Sequence, residues 1–273
     1  MGVKGALPGG REVENSEALD KGVRGGLVAY GVVHLIVAWL AVQLVLGSGG
    51  ENASQQGAFA QLAQQPFGDV ILFLVAAGFA ALVVWQVLEA IYGHRDSDGA
   101  SRVVKRLASV AKAIVYAVLG FDALKTALGS GGGGGGSTQG MTAQVMSAPG
   151  GQLLVGAAGL AVVAVGVALC YRGIKAKFVK RLDVQGRSGD HANPIVTFGR
   201  VGYVGKGLSL AAVGALFVVA AVQHRPGRSG GLDAALHQLL QQPFGAVLVL
   251  AIALALACFG VYCFAWARHL RST

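Results

Sequence analysis

The stretch Gln64-Gln65-Pro66-Phe67-Gly68 recurs letter for letter as Gln241-Gln242-Pro243-Phe244-Gly245. A degenerate copy, Ala148-Pro149-Gly150-Gly151-Gln152, lies between them. Pro66 and Pro149 are 83 residues apart, and Pro149 and Pro243 are 94 apart. A second landmark keeps step: Arg24, Arg106 and Arg200 are separated by 82 and 94 residues. Two landmarks with matching offsets mark a tandem repeat of supersecondary units.

Working outward from each copy, a long apolar run lies on either side. Six runs reach the roughly 20 residues needed to cross a bilayer. They are approximately Gly26–Leu46, Val70–Tyr92, Leu107–Leu128, Leu153–Tyr171, Val201–Val222 and Gly245–Ala267. They are apolar on every face, which a soluble amphipathic helix is not. The composition agrees. Of 273 residues, 54% are hydrophobic and 13% charged, where a soluble domain carries about 25% charged residues. The 43 glycines suit close helix packing in lipid. The predicted fold is all-α: a polytopic membrane protein of six transmembrane helices, three tandem helical hairpins in a pseudo-threefold arrangement.

The divisions are a tail over 1–20, repeat 1 over 21–93, repeat 2 over 94–172, a basic amphipathic linker over 173–195 and repeat 3 over 196–273. Lys and Arg set the orientation. The loops Gly47–Phe67 and Gly129–Gln152 contain neither residue, and Gln223–Phe244 has only Arg225 and Arg228. The opposite side carries Lys21, Arg24, Arg95, Arg102, Lys105, Arg106, Arg172, Lys175, Arg187, Arg200, Arg268 and others. Both termini are therefore expected in the cytoplasm of a bacterial plasma membrane. The formal charge of +9 reads as this positive-inside bias rather than as a nucleic-acid surface. No cleavable leader is expected, because the polar start leads into a run long enough to span.

Within each hairpin, an outer loop with a short amphipathic stretch (Ala58–Gln65, Leu232–Gln242) leads to Pro-Phe-Gly. Proline there suits the first turn of the return helix. Phe67 and Phe244 fit the outer interface, and Tyr92, Tyr171, Tyr203 and Trp266 the inner one. Gly131–Gly136 reads as a flexible linker.

This layout resembles the DUF1206 family of bacterial membrane proteins, which is built from two-helix units with a glycine-rich first helix. The residues that carry the resemblance are Arg200-Val201-Gly202-Tyr203-Val204-Gly205-Lys206-Gly207, with Arg24 to Gly31 a weaker copy. Repeat 2 departs most, since it lacks Gln-Gln-Pro-Phe. The resemblance implies a plasma-membrane protein of actinobacterial type and supplies no catalytic residues.

Tyr30, Lys112 and Lys206 occupy one repeat position about five residues inside their spans. They are either a cluster facing a polar cavity or long amphipathic side chains snorkelling to the surface, and snorkelling is the simpler account. His34, one turn deeper, suits a proton relay, a ligand contact or a single interhelical hydrogen bond. Asp122 and Lys125 have the spacing of a local ion pair. Glu89 reads as an interfacial salt-bridge partner. Gly207, Ala211 and Gly214, like Gly156, Gly159 and Gly166, place small residues on one face for close contact. Ile174, Phe178 and Leu182 alternate with Lys175, Lys177, Lys180 and Arg181, the pattern of a basic amphipathic helix lying on anionic lipid.

The cysteines, Cys170, Cys258 and Cys263, are odd in number and read as small apolar residues. No catalytic, cofactor-binding or metal-ligand spacing is present, so a non-enzymatic role is expected. That role is structural or partner-binding, with a lipid bilayer and a membrane protein as partners and no nucleic acid. The alternative is an ion or solute pathway along the pseudo-threefold axis.

Overall fold

The computed structural model describes residues 17–47, 52–93, 99–129, 135–181 and 194–269. Six long helices are apolar enough to cross a membrane. Each repeat is a span, a short helix and a return span. Repeat 1 is α1 (Glu17–Leu46), α2 (Gln55–Ala63) and α3 (Gly68–Tyr92). Repeat 2 is α4 (Gly99–Ala127), α5 (Gly135–Met146) and α6 (Gly151–Ile174). Repeat 3 is α7 (Pro194–Val222), α8 (Leu232–Leu240) and α9 (Gly245–Arg268). The molecule is a multi-pass membrane protein. Its two ends are named here by their residues, the basic end and the Pro-Phe-Gly end.

Among the described residues the spans pack in the open order α4, α3, α1, α9, α7, α6. The tightest interfaces join one repeat to the next: α3 to α4, α6 to α7 and α9 to α1. The same contact recurs in two of them. Gly31 of α1 backs onto Gly260 of α9, where an added methyl would come within 2.9 Å of the Gly260 carbonyl oxygen. Gly207 of α7 backs onto Gly166 of α6, at 2.5 Å by the same measure. Gly166 and Gly260 each lie 17 residues after their repeat's proline. In the third interface these positions are Ala113 and Val83. Removing Cβ lets backbones approach where no hydrophobic force drives association in lipid. The threefold repetition breaks at one place. α1 packs on α3 and α7 on α9, but α4 and α6 do not pack along each other, so the middle hairpin is splayed.

The Pro-Phe-Gly motif acts differently from the sequence expectation. Pro66 and Pro243 precede their helices, which begin at Gly68 and Gly245. The Gly68 N–H donates to the Gln65 carbonyl (2.9 Å), and that of Gly245 to Gln242 (2.8 Å). Proline takes the second position of a turn, and Phe67 and Phe244 the third, each at φ 61°. This is type II geometry, which demands positive φ at the third position. In repeat 2 a glycine, Gly150, fills that place at φ 74°. The following glycine is required sterically, because a methyl on Gly68, Gly151 or Gly245 would collide with a carbonyl oxygen of the short helix before it.

The short helices fold over the Pro-Phe-Gly end. α2 packs on α1, α3 and α4, and α8 on α7, α9 and α1. Phe59 of α2 is fully buried against Phe79. The Ala53 N–H donates to Asp233 Oδ1 (2.8 Å), tying repeat 1 to repeat 3. Gly135 lies inside α5, so that part of the expected linker is helical. Residues 131–134 lie outside the described residues.

At the basic end, Arg24 donates to the carbonyls of Ala267 and Arg268 (3.1 and 3.0 Å), closing the end of α9. Arg106 does the same for α3 through Ile91 (3.1 Å). The segment after α6 is not the surface helix its pattern suggested. α6 stops at Ile174, Ala176 takes φ 48°, and a 3₁₀ turn follows over Lys177–Arg181. The reversal drives Phe178 under the bundle, stacked on Tyr203 (5.1 Å) and edge-on to Tyr262 (5.0 Å). Leu182 lies outside the described residues. Tyr203 and Trp266 are buried rather than part of an interfacial belt, whereas Tyr171 is half exposed.

Candidate functional site

One turn above that aromatic floor, three polar groups meet inside the ring of spans. The Lys206 ammonium on α7 donates to the Tyr30 hydroxyl on α1. Lys206 Nζ also lies 3.2 Å from His34 Nε2. The other imidazole nitrogen, Nδ1, is 2.8 Å from the Tyr30 carbonyl. A carbonyl only accepts, so Nδ1 carries the proton and Nε2 is the acceptor for the ammonium. This bonding assigns the tautomer. Ring faces complete the shell: Lys206 Nζ is 4.2 Å from the centroid of Phe259 and 4.3 Å from that of Tyr30. Cation–π contacts strengthen when desolvated, to about 2 kcal/mol. Among the described residues no carboxylate pairs with Lys206.

Tyr30 and Lys206 are repeat equivalents, so the pseudosymmetry itself brings them face to face. Their third equivalent does not join them. Lys112 is half-buried on α4, and the bonds that join Tyr30, His34 and Lys206 do not include it. The α4 group that enters is Tyr116, one turn on, with its ring 5.6 Å from that of Tyr30. Phe79 of α3 and Tyr203 of α7 close the remaining sides. The centre of the ring is thus filled by side chains from five of the six spans. Snorkelling does not describe Lys206, whose head group turns inward.

Asp122 stands apart, near the Pro-Phe-Gly end. It accepts from Gln56 Nε2 of α2 (3.1 Å), and no ion pair with Lys125 is present among the described residues. Lys175 and Lys177 are exposed, with Lys177 Nζ 4.5 Å above the Tyr171 ring. The side chains of Lys180 and Arg181 lie outside the described set. Cys170, Cys258 and Cys263 are free thiols. Phe79 and Phe259 were not singled out by the sequence reading, because a phenylalanine in an apolar span carries no signal distinguishing it from any other core residue.

The repeat architecture now has its counterpart among known proteins. Residues 25–93, 107–176 and 201–269 each match the family described as Domain of Unknown Function (DUF1206). The chain belongs to the DUF1206 family. Each DUF1206 match takes in one span–helix–span unit, and the segment before α7 falls between the second and third. An uncharacterized protein, YxxB, of Bacillus subtilis (strain 168) is 30% identical over 241 residues, covering 87% of this chain and 86% of the relative. No solved structure matches it. The Lys206–Tyr30–His34 centre of this DUF1206 member is therefore interpreted from its own geometry.

Proposed function

We propose that this chain is a non-enzymatic protein of a bacterial plasma membrane that binds a membrane-embedded partner through its splayed middle repeat. The carrying observation is the break in the ring, where α4 and α6 lack the mutual packing made by the other two hairpins. Only 17% of the apolar window of α6 is buried, the least of the six spans, against 50% and 56% for α1 and α9. On α6 the exposed face bears Ala157, Ala161, Ala164 and Ala168, a ridge of small residues at helical spacing. Such ridges admit a second helix closely, and lipid does not require them. The basic end is assigned to the cytoplasm, where exposed Lys175 and Lys177 face anionic lipid rather than nucleic acid.

A photo-reactive phenylalanine analogue at Ala161, in native membranes, tests this. An adduct heavier than the chain is expected, and Ala157→Leu/Ala164→Leu should abolish it. Its mass distinguishes a second copy from another protein. Absence of any adduct from either Ala161 or Ala157 would remove the reading.

A second reading has its own observation. Lys206, Tyr30 and His34 place polar groups on the ring axis within the spans, as a solute or ion pathway requires. Against it stands the filling of that axis by aromatic rings. Flux in proteoliposomes that responds to Lys206→Met and Lys112→Ala would support a pathway. Flux equal to empty liposomes over a range of ions and pH would dismiss it.

A further inference from the structure

The three repeat arginines have equivalent positions and unequal partners. Arg24 and Arg106 cap the preceding spans, as described above. The equivalent acceptors for Arg200 are the carbonyls of Gly173 and Ile174, at the positions of Ala267 and Arg268 in repeat 3, and Ile174 is also the position of Ile91, the acceptor of Arg106. The Gly173 carbonyl is already taken by the Ala176 N–H at 3.1 Å, because the chain reverses there. The backbones are also too close: a methyl on Gly173 would come within 2.9 Å of the Arg200 carbonyl oxygen. The Arg200 guanidinium stands without the cap that its two equivalents form. Among the described residues it has no acceptor, and its Nε is buried without a partner.

Arg200 instead lines one end of an apolar groove of about 660 Å³ on the outer surface of repeat 3. The groove exists because its floor is small: Gly205, Ala251 and Ala255 leave a trough between α7 and α9. Exposed Leu208 and Leu248 form its rims. It runs the length of Arg200 to Ala212 on α7, roughly 18 Å at 1.5 Å per residue. Leu239 of α8 closes the far end, and Ile174 flanks the arginine.

A long apolar trough, open along one side to lipid, with an unsatisfied cation at one mouth, has the chemistry of one ligand class. The geometry points to a binding site for a single anionic phospholipid, with one acyl chain in the trough and the phosphate on Arg200. Burying a charged donor without an acceptor is costly, and a phosphate oxygen meets that need in a charge-assisted bond. Basic pockets between spans are suited to anionic head groups, and Arg172 and Lys175 adjoin Ile174 in the chain.

The test uses the full chain, extracted in mild detergent from vesicles containing equal phosphatidylglycerol and phosphatidylcholine. Lipid retained through delipidation is counted by native mass spectrometry. One phosphatidylglycerol per chain is expected. Arg200→Gln should lower that occupancy about tenfold, the loss of one charge-assisted bond. Ala251→Phe, which fills the trough without touching the arginine, should lower it as far. Arg106→Gln, whose partner is a backbone carbonyl, should not. Melting of each variant is followed in the same samples, so a misfolded variant is recognised. Equal retention of both lipids, or full retention by a folded Arg200→Gln, would overturn the site. Loss with Arg200→Gln but not with Ala251→Phe would overturn the acyl-chain half of the proposal.

Discussion

The glycine after each Pro-Phe or Pro-Gly is fixed by a neighbour rather than by its own dihedral angle. Gly68 and Gly245 start their helices normally, but a carbonyl of the preceding short helix occupies the space a Cβ would need. Gly68→Ala or Gly245→Ala should therefore destabilise by about 1–3 kcal/mol, the usual cost of overpacking, measured by denaturant titration in mixed micelles. Phe67→Gly should be neutral or stabilising, since a non-glycine in the left-handed region costs roughly 1–2 kcal/mol and the ring is exposed. The Lys206 centre gives an opposite pair of signs. Tyr30→Phe removes one acceptor and leaves the ammonium buried, which should cost about 1–3 kcal/mol. Lys206→Met removes the charge itself and keeps the volume, so stability should hold or rise. If Lys206→Met proved the more damaging of the two, the ammonium would be contributing more than its partners recover. Tyr30, Lys206 and His34 were legible as candidates in the repeat alignment. Their mutual contact was not, because alignment gives equivalence and leaves open whether equivalent side chains converge or point apart.

Among elements, the glycine pairs Gly31–Gly260 and Gly166–Gly207 set two of the three inter-repeat interfaces. Gly207→Val should weaken the α6–α7 contact by several kcal/mol if the backbones cannot part. Ala113→Gly, at the third interface, should cost only about 1 kcal/mol, the ordinary helix penalty of glycine, because no close backbone contact there depends on the residue. Unfolding of the two variants in the same micelles compares them directly. Small residues on one face of α6 and α7 were readable from the sequence. Their partners were not: Gly166 and Gly207 lie on helices from different repeats, and the hairpin unit would have paired α6 with α4. The basic linker is the clearest departure. Its four-residue apolar spacing fitted a surface helix, yet Phe178 is fully buried and stacked on Tyr203. Gly199 leaves the space that admits its ring.

At the scale of the whole molecule, the ring is held shut at one end by short helices and at the other by aromatic rings. The Ala53–Asp233 bond joins repeats 1 and 3 at the Pro-Phe-Gly end. Asp233→Ala should cost about 1 kcal/mol, a modest figure because the carboxylate is partly exposed. It should also speed hydrogen exchange in α2 and α8 ahead of the spans. Equal exchange in the variant and the native chain would show that these short helices are held by burial of Phe59 and Leu236 alone. The middle repeat, with its spans apart, should exchange fastest of the three.

Sequence alone determined that the chain crosses the membrane six times, that it does so in three repeated units, and where each unit turns. These follow from local quantities: apolar length against bilayer thickness, and letters repeated at constant offset. Only the tertiary structure decided that Lys206 turns inward to Tyr30 and His34, that Lys112 does not join them, that α4 and α6 stand apart, and that Arg200 loses the partner its equivalents keep. Each of those depends on which side chain reaches a shared space first. Related repeats packed side by side compete for that space, and a single change, such as glycine where the other repeats have alanine at position 173, settles the competition differently in each.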